Sequence, residues 1–220
     1  MSDSNSKSLK LLKKSQDRLN NSRSWAQFVN SLSGYKSANL LSTKSKDEKE
    51  NLSIVSSTVH LGSNPPLLGF IIRPHSEDHP RHSFENLEST GYFTLNHVSE
   101  AIYKKAHQTS ARYPKEVSEF NETGLTPEYR KDFFAPFVKE SYLQMGMKHI
   151  KTYFIEENKT NFVIGEVLSV YSLEEALRAD GSLDLKKINT VALAGLDAYY
   201  TTEELGRLSY AKPDKELEEL

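Results

Sequence analysis

The chain contains no cysteine at all, and that single absence removes disulfides, thiolate-held iron–sulfur clusters, zinc ribbons and thiol catalysis together. It also lacks a run of about 18 apolar residues, so no helical membrane span is expected. The opening MSDSNSKSLKLLKK has no apolar segment of the signal-peptide kind. Charge of one sign is missing too: 28 Lys+Arg stand against 30 Asp+Glu, a formal net charge of −2. Nucleic-acid binders usually carry a clear basic excess, so no such partner is expected. A Gly-x-Gly-x-x-Gly fingerprint is absent, which argues against a dedicated dinucleotide fold. Gly34-Tyr35-Lys36-Ser37 resembles the end of a P-loop, but Tyr35 separates the glycine from the lysine and Val29 stands where a further glycine is required. The expectation is a water-soluble protein of a reducing, cytoplasmic compartment.

With 220 residues, the chain is long enough to bury about 70% of its unfolded surface. Residues 1–22 are polar and read as a lead-in, 23–210 as the folded domain, and 211–220 (KPDKELEEL at its end) as an acidic tail. Strand signals dominate. Trp25–Leu32 is read as alternating, followed by Ala38–Leu41 after the Ser33-Gly34 turn. Leu52–Leu61 is rich in β-branched residues, Leu67–Ile72 is apolar throughout, and Tyr92–Val98 follows Thr90-Gly91. Lys148–Ile155 and Asn161–Tyr171 form a hairpin pattern across Glu156–Thr160, and Asp184–Ile188 and Val191–Leu193 add short pieces. Helical signals are short: Ser83–Glu88 ending at Gly91, Ser99–Ala106, Pro114–Phe120 and Leu173–Ala179. Many strands with short inserted helices predict a mainly β (α+β) barrel or sandwich rather than a doubly wound sheet.

His75, His79 and His82 with Glu77 and Asp78 suggest metal ligands at first sight. Pro74 and Pro80 keep them off one regular helix, and a polar loop is the preferred reading, with no metal expected. The segment Asn51–Pro66, NLSIVSSTVHLGSNPP, is different. Ser53, Ser56, Ser57, Thr58 and His60 concentrate hydroxyl and imidazole groups of the kind that a phosphomonoester with a polyol tail requires. Read as one strand, it would place 56, 58 and 60 on a common face.

Three segments in order, Asn51–Ser56 with Asn64–Phe70, then Arg81–Asn96, then His107–Ala111 with Pro114, Glu119-Phe120 and Gly124–Thr126, resemble the flavin reductase-like family of FMN-binding split-barrel proteins. Phe162–Val170 is similar to a further strand of that family, and Ser53-Ile54 replaces its usual Ala-Pro. The resemblance implies an FMN-binding split β-barrel with the cofactor at a homodimer interface. Carried over by position, Lys36, Asn51, Ser53, Ser56, Ser57, Thr58, Arg81, Ser83, Asn96, His107, Thr109 and Ser110 become candidate cofactor contacts. Arg81 and Ser83 fall at phosphate positions. His60 joins them as a tentative catalytic group, and no other acid or base is nominated. The implied activity is NADH- or NADPH-dependent flavin reduction with a small-molecule or protein electron acceptor. The alternatives are a flavin-binding carrier or sensor without NAD(P)H turnover, and a pyridoxamine-phosphate-oxidase-like or haem-handling member of the wider group.

Overall fold

A computed structural model describes residues 10–74 and 81–220. Of the histidine cluster, His75, Glu77, Asp78 and His79 therefore lie outside the described residues, and His82 lies within them. The first helix, α1 (Ser22–Ser31), corrects the reading of Trp25–Leu32 as a strand. Trp25, Phe28, Val29 and Leu32 recur at i, i+3, i+4 and i+7, which is the helical period. Asn21 caps it by accepting the Ser24 N–H at 2.8 Å.

The main sheet follows: β1 (Lys36–Ser37) stands apart, then β2 (Asn39–Lys44), β3 (Glu50–Val55), β4 (Val59–Ser63), β5 (Pro66–Ile72), α2 (His82–Thr90) and β6 (Tyr92–His97). Next come α3 (Tyr103–Gln108), α4 (Glu119–Thr123), β7 (Pro127–Glu128), β8 (Phe137–Val138), and the long hairpin β9 (Leu143–Ile155) and β10 (Thr160–Ser172). The chain closes with β11 (Ala192–Ala194) and β12 (Ala198–Tyr200).

Seven strands pair in the order β3-β2-β6-β9-β10-β5-β4, every neighbour antiparallel. The two edges of this sheet, β3 and β4, are consecutive in sequence and separated only by residues 56–58. Three residues reach about 14 Å between flanking Cα atoms at most, so the sheet must curl until its edges meet. Ser57 ties the seam: its Oγ accepts the Ile71 N–H of β5 at 2.8 Å. Leu52–Leu61 is thus two strands with a break, not one, and the expected common face of 56, 58 and 60 does not exist.

β2 is buried along its whole length because its two faces serve two cores. Leu41 points into the barrel with Phe70, Phe93, Leu95, Met147 and Val163. Leu40 faces the opposite layer with Leu52, Val98, Phe120 and Val191. Phe93 meets Phe70 edge-on at 5.5 Å. Gly165 leaves room for it, since a Cβ there would fall 2.5 Å from the Phe93 ring. α2 stops at Gly91, whose φ of 76° is left-handed.

The other helices are shorter than expected or shifted. α3 starts at Tyr103 rather than Ser99, α4 at Glu119 rather than Pro114, and only a 3-10 turn, Glu174–Ala176, stands within Leu173–Ala179. Asp184–Ile188 is a turn, because the Asp184 carboxylate accepts the N–H groups of Lys186 and Lys187. No helix among the described residues is long and apolar enough to cross a membrane.

His97, at the end of β6, has its Nδ1 3.2 Å from the Thr190 hydroxyl, and burial holds its pKa down at about 4. The unfolded chain, with a pKa near 6.5, then binds the proton the folded one refuses, so stability is full above about pH 6.5 and falls as pH drops toward 4. We expect roughly 1–2 kcal/mol of stability to be lost between pH 7.5 and 5 through this residue. Urea unfolding of the wild type and His97→Asn across that window checks it. An unchanged slope in the variant would exclude the histidine as its source.

Candidate functional site

The barrel seam, the start of α2 and the segment between α3 and α4 enclose a cleft of about 680 Å³. Nine of the candidates line it: Asn51, Ser53, Ser56, Ser57, Arg81, Ser83, His107, Thr109 and Ser110. The remaining four lie elsewhere. Lys36 Nζ donates to the Asn30 and Gly195 carbonyls, both at 3.1 Å. The Thr58 hydroxyl accepts from Asn39 Nδ2 at 3.2 Å. Asn96 is fully buried, donating to the Leu40 carbonyl and accepting the Val138 N–H. His60 is an exposed residue of the edge strand β4, paired in register with Leu68, and does not line the cleft. The break at 56–58 is the physical reason.

Three arginines reach the cleft: Arg73 just after β5, Arg81 capping α2, and Arg112 in the segment after α3. Burial lowers the Arg81 pKa, and the positive charges of Arg73 and Arg112 lower it further. Its Nε donates to the Pro74 carbonyl at 3.2 Å, which orients the fork. Sequence reasoning singled out only Arg81. The other two directly follow the LLGFII strand and the Thr109-Ser110-Ala111 segment, and that adjacency was the available signal.

Below them runs a directed chain of hydrogen bonds ending at Glu119, the one carboxylate among the described lining residues. Glu119 accepts Asn51 Nδ2 at 2.9 Å and the Leu52 N–H at 2.9 Å. Asn51 Oδ1, left as the acceptor end of that amide, takes the Ser83 hydroxyl. Ser83 therefore receives the Ser53 hydroxyl, 2.9 Å away, rather than donating to it. Both serine protons point inward, toward the carboxylate. Burial pushes the Glu119 pKa up, while the Leu52 and Asn51 donors pull it down. Glu119 was legible as part of a motif but had no role assigned.

The opposite wall comes from the C-terminal hairpin. Leu193, Leu196 and Tyr199 line the cleft, and the Tyr199 hydroxyl lies 3.0 Å from His107 Nδ1. Burial and the nearby Asp197 push the Tyr199 pKa up to about 12. Ile54, Val55, Ile71 and Ile72 complete an apolar surface. Such a cleft pairs a cationic, donor-rich end with flat apolar walls, which suits an anionic tail attached to an aromatic body.

Comparison with known proteins speaks to the fold and the family. A candidate flavin reductase with a split barrel domain from Shewanella frigidimarina is 55% identical, superposes with a TM-score of 0.83, and aligns over 87% of this chain and 94% of that one. The flavoredoxin of Desulfovibrio vulgaris is 25% identical, with a TM-score of 0.66 over 82% of this chain and 92% of its own. Nitrilotriacetate monooxygenase component B of Bacillus cereus, 19% identical, shares the fold at a TM-score of 0.77 over 92% and 99% of the two chains. The fold is thus a mainly β split barrel, and residues 33–192 match the model of the flavin reductase like domain. By that match the chain belongs to the flavin reductase-like family.

Proposed function

We propose that the protein binds FMN and works as a flavin reductase-type oxidoreductase, taking electrons from NADH or NADPH and passing them to a small-molecule or protein acceptor in the cytoplasm. The observation that carries this reading is the convergence of Arg73, Arg81 and Arg112 on a cleft where, among the described residues, Glu119 is the one lining carboxylate, itself engaged by Asn51 and Leu52. A phosphomonoester carries close to two negative charges, and guanidinium forks match its oxygens. The N-terminus of α2, where Arg81, His82 and Ser83 face the cleft, adds a positive dipole end. This donor set fits FMN.

When bound, FMN supplies the hydride chemistry. The chain's own groups then have distinct tasks. The arginines and α2 hold the phosphate; Ser56 and Ser110 offer hydroxyls to the polyol tail, while Ser57 and Thr109, bonded to Ile71 and the Ala106 carbonyl, shape the wall beside it; Ile54, Val55, Ile71 and Leu193 exclude water from the ring. The same pocket serves a flavin-binding electron carrier, and the similarity to a flavoredoxin favours keeping that second reading. Oxidation of NADH or NADPH by the loaded protein separates the two.

A homodimer belongs to the proposal. The long hairpin exposes Ile150, Phe154, Leu168 and Val170, and Val59 and Leu61 of the edge strand are also exposed. Ile150 and Leu168 sit at irregularities in the β9–β10 register, where a bulge turns a side chain outward. Exposed aliphatic and aromatic side chains on one hairpin suit a second copy as cover. Size-exclusion chromatography with light scattering and flavin absorbance should give a dimer carrying one FMN per chain. Colourless protein that refuses added FMN would refute the cofactor, and a monomer that holds FMN would refute the dimer.

A further inference from the structure

Residues beyond Ala192 fall outside the stretch shared with the family, yet they build a cleft wall that is firmly anchored. β11 pairs with β1, Leu193 opposite Lys36, and with β12, Leu193 opposite Tyr199. The turn between them is pinned to α1 from two sides. Gln27 accepts the Leu196 N–H at 3.1 Å and donates to Asp197 at 2.7 Å. Lys36 Nζ bridges the Asn30 and Gly195 carbonyls. Gly195, at φ +61°, lets the turn lie this close, because a Cβ there would come within 3.0 Å of the Gln27 side-chain oxygen. Lys36 therefore holds a wall of the cleft instead of reaching a phosphate.

What this anchored hairpin presents is a flat, mostly apolar surface with one polar tip. Leu193 and Leu196 are the apolar part. The Tyr199 ring is fixed by Tyr103, 5.3 Å away, and by His107, which meets it edge-on at 5.7 Å. We propose, resting on the FMN reading above, that Tyr199 is the specificity-determining residue for the second substrate, donating its phenolic hydrogen to the carbonyl oxygen of a flat ring such as a nicotinamide carboxamide. With the proton on His107 Nδ1, the histidine donates to the phenol oxygen 3.0 Å away and the phenolic hydrogen is left for the ligand, the tautomer this proposal requires. The raised pKa keeps the phenol protonated through the neutral range, and Asp197 beside it disfavours an anionic group in the carbonyl's place. None of the phosphate-directed residues is involved.

The test uses the FMN-loaded full-length protein, titrated with NAD⁺ and NADP⁺ by calorimetry, alongside steady-state oxidation of NADH and NADPH. Tyr199→Phe should retain FMN within about twofold but bind the better of the two oxidised nucleotides about 3- to 10-fold more weakly, the loss of one neutral hydrogen bond. KM for the reduced form should rise by a similar factor with kcat changed much less. Gln27→Ala, which removes one of the two anchors of the hairpin turn without touching the cleft, should weaken the nucleotide in the same direction. It carries the test if the tyrosine variant fails to fold. FMN bound normally, with nucleotide affinity unchanged by either substitution, or with no nucleotide affinity in the wild type, overturns the tyrosine assignment and leaves the cofactor reading standing. Failure of the wild type to bind FMN removes both.

Discussion

Arg81→Glu is expected to weaken FMN roughly tenfold to several hundredfold while changing riboflavin affinity by less than about threefold. Each charge-assisted hydrogen bond to a phosphate is worth about 1.5–3 kcal/mol, and reversal adds repulsion to that loss. The arginine stands at the N-cap of α2 with its Nε tied to the Pro74 carbonyl, so the fork is held in place before any ligand arrives. Its crowding by Arg73 and Arg112 disfavours three cations together, and a bound dianion relieves that mutual repulsion. Riboflavin has no phosphate to lose. Equilibrium titration of the apoprotein with both ligands, by quenching of flavin fluorescence, decides the matter. Equal losses for the two would mean that Arg81 supports the fold of the loop instead of the phosphate.

How much of this was legible beforehand follows from the kind of signal each element carries. The β9–β10 hairpin, β5 and β6 were readable because apolar runs bounded by turn residues are local features. α1 was missed because Trp25, Phe28, Val29 and Leu32 were read as alternation when their spacing is helical. The seam was missed for a deeper reason. Nothing in Ser56-Ser57-Thr58 announces a break, since hydroxyl residues suit a strand as well as a loop; the break is imposed by closure of the sheet. His60 was placed near the site on the strength of an unbroken strand, and the same closure puts it on an exposed edge. Arg73, Arg112 and Tyr199 are brought together from three separate parts of the chain, a convergence that no local pattern records. Lys36 is the converse case: its cation serves two backbone carbonyls, a demand created only by the C-terminal hairpin.

Glu119 offers the sharpest separation between holding the site together and binding its ligand. Glu119→Ala should cost about 2–6 kcal/mol of stability, because it leaves the buried Leu52 N–H and the Asn51 amide without their acceptor, at about 1–3 kcal/mol each. Glu119→Gln should behave differently. Its amide oxygen can still accept from Leu52, while its NH₂ faces the Asn51 amide and turns that group over. Asn51 then donates to Ser83 instead of accepting from it, and the Ser83 hydrogen is released toward the cleft. The loss in stability should stay near 1 kcal/mol, since a neutral amide also avoids the burial that raises the carboxyl pKa. FMN should bind the glutamine variant at least as tightly as the wild type, because a phosphate oxygen gains a donor it lacked, and riboflavin affinity should be unchanged. Urea unfolding of the two variants, followed by titration with both flavins, supplies the comparison. If glutamine proves as damaging as alanine, the negative charge itself is what the site needs, and the directed chain from Ser53 through Ser83 and Asn51 is not what Glu119 controls.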